Sequence, residues 1–124
     1  TQYVIADQLE PGKGYWVYAY VDCEIWGENY APSQGWISNL QADCWNLIGY
    51  PHNTTISLAE LWIYYNGEWF TWDEAVANGI VMPYVYAWDG TQYVIADQLE
   101  PGKGYWVYAY VDCEIYWQIP EGVI

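Results

Sequence analysis

Carboxylates are the most abundant reactive groups in this chain, and their spacing is the first test of what chemistry it could do. Asp73 and Glu74 are adjacent. A general acid and base need carboxyls held apart in unlike environments across a cleft, whereas neighbouring acids at a helix start complement the helix dipole. Asp22/Glu24 and Asp112/Glu114 are spaced by two, which puts each pair on one face of a strand. A calcium ion could bridge such a pair, but solvated edge charges that deter unwanted pairing show the same pattern. Asp7/Glu10 and Asp97/Glu100 fall in loops, as does the single histidine, His52, beside Pro51. Pro101-Gly102-Lys103-Gly104 has the glycines of a phosphate cradle but neither the Walker spacing nor a following helix. No catalytic, cofactor or metal-ligand set emerges, and the expectation is a protein that is not an enzyme.

The cysteines and aromatics carry more. Cys23, Cys44 and Cys113 have no CxxC or Cys/His spacing for zinc. Ten Trp and fifteen Tyr stand against one Phe, a balance suited to half-wet surfaces where a ring buries its face and shows a polar edge. Trp62, Trp69 and Trp72, with Tyr64 and Tyr65 among them, could form a glycan-stacking platform, pack into a core, or meet another subunit. A chain of this size cannot bury every ring, which favours the interface. Asn53-Thr54-Thr55 is a glycosylation sequon, with Asn53 the acceptor.

What must position these groups is organised around a duplication. Residues 91–115, TQYVIADQLEPGKGYWVYAYVDCEI, repeat residues 1–25 letter for letter. A shared fold fixes pattern rather than every surface residue, so an identity of this length marks duplication, and one small module can use the segment only once. Each copy reads as a hairpin: strand-like runs at 1–6 and 15–21 flank a Pro-Gly turn in the first. An isolated hairpin is marginal in water. Tyr15, Trp16, Val17, Tyr18 and Tyr20 are therefore expected to be buried against another subunit.

Between the copies, residues 26–39 read as a linker and 41–49 as a strand. Ser57-Leu58-Ala59-Glu60 matches a capping box for a helix running to about Tyr65 and stopping at Asn66-Gly67. Thr71-Trp72-Asp73-Glu74 opens a second helix, with Gly79 as its C′ residue. A meander follows: strands at 80–88, 91–96 and 105–111, the last continuing through 113–115, with Asp89-Gly90 as a hairpin turn. The expected fold class is α+β, a small antiparallel sheet in the order β-α-α-β-β-β covered by two short helices, with a duplicated hairpin at the N-terminus. The expected organisation is a hairpin segment at 1–25, a linker at 26–36, a complete module at 37–115 and a tail at 116–124. Within that module Cys44 and Cys113 are expected to form a disulfide joining its first and last strands, the alternative being buried thiols; Cys23 is left over.

Trp45-Asn46-Leu47-Ile48-Gly49 and Pro101-Gly102-Lys103-Gly104-Tyr105-Trp106-Val107 form a pairing that resembles the "GWNLI…PGKGYW" repeats of large secreted and surface proteins of bacteria and archaea. The resemblance covers about residues 37–115 and implies a module of a multi-domain surface chain, with no catalytic residues. The family pattern has a glycine before the tryptophan, where this chain has Cys44.

Charge narrows the partners. The formal net charge is −14, from sixteen acids and two lysines, Lys13 and Lys103. No basic patch can be assembled, which makes nucleic acid a poor partner. No window is apolar enough for a membrane helix, so membrane insertion is not expected. The chain opens in a strand-like run without a leader-like segment, as a mature or excised piece would. The profile favours an extracellular or cell-surface protein that needs no cofactor. With one body and two hairpins, the expected function is a structural subunit of a filament or surface layer, assembling with itself head to tail by strand addition. The alternative is a carbohydrate-binding or adhesive module using exposed Trp and Tyr.

Overall fold

The computed structural model describes residues 3–25 and 33–122. The body begins with a short 3-10 turn and strand β1 (Trp36–Leu40), then β2 (Cys44–Gly49), β3 (Ile56–Ser57) and a 3-10 turn at Leu58–Glu60. Strands β4 (Trp62–Tyr65) and β5 (Glu68–Thr71) lead into helix α1 (Trp72–Ala77). Strands β6 (Val85–Trp88), β7 (Tyr93–Ala96), β8 (Gln98–Leu99), β9 (Gly104–Ala109) and β10 (Cys113–Tyr116) complete it. All pairings are antiparallel. One four-stranded sheet runs β1-β10-β4-β5, a second runs β2-β9-β6-β7, and β3 pairs with β8. Ile37, Leu40 and Ile115 from the first sheet meet Ile48, Tyr105 and Val107 from the second in one core. Period-2 alternation explains this: in β9, Tyr105, Val107 and Ala109 point inward while Trp106 and Tyr108 stay half-buried outside.

The protein is therefore mostly β, with a single six-residue helix, and the α+β expectation with two covering helices is corrected. The expected helix from Ser57 is a single 3-10 turn followed by strand β4. Glu60 does accept from the Ser57 N–H at 2.8 Å, but the next residues, Trp62-Ile63-Tyr64-Tyr65, are aromatic and β-branched and fit a pleated, half-buried surface better than a helix. Asn66-Gly67 is a hairpin turn rather than a helix stop. Both residues have positive φ, 53° and 80°, as a type I′ turn between β4 and β5 requires. The second capping box forms as expected, with the Thr71 hydroxyl accepting from Glu74 N–H at 3.1 Å and the Glu74 carboxylate accepting from Thr71 N–H at 2.9 Å.

Three further boundaries differ. Trp36–Leu40, read as the end of a linker, is strand β1. The run 105–115, read as one strand, breaks after Ala109, so that β9 lies in one sheet and β10 in the other. The tail expected from 116 onward begins later: Tyr116 closes β10, and Trp117 stacks on His52 at 4.5 Å while its N–H donates to Gly35 O at 2.8 Å. Residues 26–32, most of the expected linker, lie outside the described residues. Among those described, no helix is long and apolar enough to cross a membrane.

Candidate functional site

The two identical segments have opposite fates. The second copy is the heart of the body: β9 lies between β2 and β6, and β10 between β1 and β4. The first copy forms no strand and touches the β ladder at one bridge, Lys13 opposite Ile48. Twin positions show the contrast. Leu9 is 68 % exposed and Leu99 0 %, Val17 68 % and Val107 1 %, Ile25 76 % and Ile115 0 %. Of the expected interface residues, Tyr15 is half-buried, while Trp16, Val17, Tyr18 and Tyr20 are exposed.

What the copies share is their turn. In the first, Lys13 N–H donates to Glu10 O at 3.3 Å and Glu10 N–H to the Tyr15 hydroxyl at 2.8 Å. In the second, Lys103 N–H donates to Glu100 O at 3.2 Å and Glu100 N–H to the Tyr105 hydroxyl at 2.7 Å. Gly12 and Gly102 take φ of 79° and 78°. Pro then Gly with this φ is a type II turn, so the local sequence alone builds it in both places.

The turns grip the end of β2 from opposite sides. Gly104 pairs with Gly49 within the sheet, and Tyr50 N–H donates to Lys103 O at 3.1 Å. On the open edge, Gly14 N–H donates to Leu47 O and Gly49 N–H to Gly12 O, each at 3.2 Å. This close approach needs glycine: a Cβ at Gly12 would collide with Ile37 O, and one at Gly49 would lie 2.6 Å from Lys13 O. Beyond the turn, the first copy straps the outer face of the second sheet. The Trp16 ring lies 5.5 Å from Trp88 and 6.4 Å from Tyr93, and Tyr3 sits 6.3 Å from Trp16. A cleft of about 210 Å³ remains under the strap, lined by Leu47, Trp88 and Trp106. The sequence singled out the row 15–20 but missed its seat on Trp88 and Tyr93. The only signal for the docked turn was the repeated Gly-Lys-Gly.

The other expected sites fall as follows. Trp72 is buried by α1, which removes it from any glycan platform. Trp62 and Trp69 are half-buried, and Trp69 meets Tyr64 and Tyr116 at 49° and 73° rather than as coplanar plates. Asn53 is exposed in the loop before β3. Asp112 accepts from Ala42 N–H at 2.8 Å and Glu114 from the Tyr116 hydroxyl at 2.7 Å. Among the described residues no three metal-ligating side chains gather. Asn46 has a structural role, its side chain bonding Gln41 N–H at 2.9 Å and Gln41 O at 3.1 Å to fold the β1–β2 turn.

Cys44 and Cys113 are free thiols, which corrects the expected disulfide. Cys44 lies opposite Ala109 in one sheet and Cys113 opposite Leu40 in the other, because the break after Ala109 carries Cys113 away. Burial chiefly, with Asp112 and Glu114 beside it, pushes the Cys113 thiol up to about 12, whereas Cys23 is exposed. Near neutral pH, an alkylating reagent should modify Cys23 at least about tenfold faster than Cys113, since the thiolate is the reacting form. Peptide mapping reads this directly, and equal rates would contradict the assignment of the second copy to the core.

No family model, curated protein or solved structure matches the chain.

Proposed function

We propose that this chain is a structural building block of an extracellular or cell-surface assembly, joined to its neighbours through the first hairpin copy. The observation that carries the reading is stoichiometric. One body offers one place for a closing hairpin, the second copy fills it, and the first is left as an arm with Val4, Ile5, Leu9, Tyr18 and Tyr20 exposed. However hairpins are exchanged between chains, each chain retains one surplus copy, and its apolar surface gains by contact outside its own body. The arm is already able to add to a sheet edge, as the bonds between Gly12, Gly14 and β2 illustrate. The resemblance to surface-protein repeats fits the same reading.

Electron microscopy and sedimentation of the full chain, beside one lacking residues 1–25, test it. The full chain should form extended assemblies. These should strengthen with salt, because −14 per chain opposes packing. The shortened chain should remain folded, since residues 91–115 still close the body, but should stay monomeric. A shortened chain that assembles as the full one does would defeat the reading.

A further inference from the structure

We infer that the first copy is a second occupant for the place now held by residues 91–115. By this inference the one body can be closed from either side, and closure by the first copy releases the second as the donor arm. The inference does not rest on assembly, because it concerns occupancy within one chain.

Identical sequences make identical contacts in the same slot, between β2 and β6 and between β1 and β4. The preference for one copy then lies only in how each is connected. The second copy is joined by the four-residue turn Asp89–Gln92, where the Asp89 carboxylate accepts from Thr91 N–H at 2.8 Å and Gln92 N–H at 2.9 Å. The first copy would bring Ile25 to the position of Ile115, whose partners are Ser38 on β1 and Ile63 on β4. Tyr116, the next residue there, stands opposite Trp36 at the start of β1. A first copy in that register is thus delivered directly beside β1, and residues 26–35 need only close a hairpin loop. Closing about ten residues rather than four costs roughly fourfold in population, and the Asp89 turn adds to the bias. The second copy therefore dominates, as observed, by a margin set by connection and not by fit.

Two features show the first copy prepared for exchange. Its turn already has the hydrogen bonds and the Gly12 conformation that the second copy uses in place. It also lies on the segment it would replace, with Trp16 packed against Tyr93 and beside Trp106. In the exchanged chain the body reads hairpin then body, a circular permutation of the present order, and the free arm moves to the other end. The chain could then offer its donor hairpin to a second copy from either side.

The test uses three full-length variants. Val107→Asp places an uncompensated charge in the core and should disfavour the second copy more than about a hundredfold. Val17→Asp lies on an exposed residue and should leave fold and labelling as in the parent. Val17→Asp/Val107→Asp spoils both copies and should unfold. In Val107→Asp the first copy should take over: the protein stays folded by circular dichroism, Cys23 becomes protected and Cys113 becomes reactive. The two cysteines are distinguished by Trp26 and Tyr116 in their peptides. The exchanged pattern should persist on hundredfold dilution. A Val107→Asp chain as unfolded as the double variant would overturn the inference. So would a folded one in which Cys23 still reacts fast, or an exchange that fades on dilution, which would mean the first copy came from another chain.

Discussion

Replacing Ile63 by alanine should lower the unfolding free energy by about 2–5 kcal/mol, one of the largest single-residue effects expected in the chain. Ile63 is fully buried in the middle of β4, paired with Ile115 on one side and Phe70 on the other. Shortening it leaves a cavity in the core that both sheets share, and close-packed surroundings relax only partly. Because Ile63 belongs to the body, the loss is the same whichever hairpin copy closes it, so no exchange can compensate. Ile25→Ala, in the exposed first copy, should change stability by no more than about 0.5 kcal/mol. Urea unfolding of the two variants against the parent decides the matter. An Ile63→Ala loss below about 1 kcal/mol would mean that β4 is not a core strand.

Alkali should unfold the protein over a defined window. Cys113 is held at about 12 against an ordinary 9.0, and Tyr50 at about 12 against 10.0, burial being the chief cause in each. Glu60 and Tyr105 add to the shift of Tyr50. Tyr105 and Tyr116 are raised as well, again mainly by burial. In each case the folded state favours the protonated form. Their stabilising contribution is complete below the unfolded pKa values and is lost as pH rises through the folded ones. Stability should thus be level near neutrality and fall between pH 9 and about 12, with Cys113 alone contributing on the order of 4 kcal/mol to the drop. Urea midpoints measured from pH 7 to 11 should show the decline beginning at pH 9, and Cys113→Ala should soften it. A midpoint that is level up to pH 11 would mean these side chains are not buried.

Several elements are legible from local chemistry alone. The capping box at Thr71 and Glu74, with Gly79 ending the helix, needs only local bonding groups. The meander from β6 to β9 follows from turn residues and alternation, and the Glu-Pro-Gly-Lys-Gly-Tyr turn forms twice with the same bonds. Other elements mislead because the local signal has two meanings. Ser57 and Glu60 do cap a turn, yet the aromatic and β-branched run after them is a strand. Asn66-Gly67 ends helices and also turns hairpins, and only the pairing of β4 with β5 separates the two. The corner after Ala109 is invisible because the strand-like run continues through it, and with that corner goes the disulfide.

Turns, the one helix and the presence of two interchangeable hairpins for one body all follow from the order of the residues. Which hairpin is core and which is arm does not; pairing in the folded body settles it. The reason is physical. A helix satisfies its hydrogen bonds within its own segment, so caps and propensities suffice to place α1. A strand's bonds lie outside it, on neighbouring chains of the sheet. Residues 105–109 and 15–19 are the same five residues with the same propensity; the first run lies between β2 and β6, and the second has no comparable neighbours. Partner strands, supplied by the shorter connection, make the difference between β9 and an exposed arm.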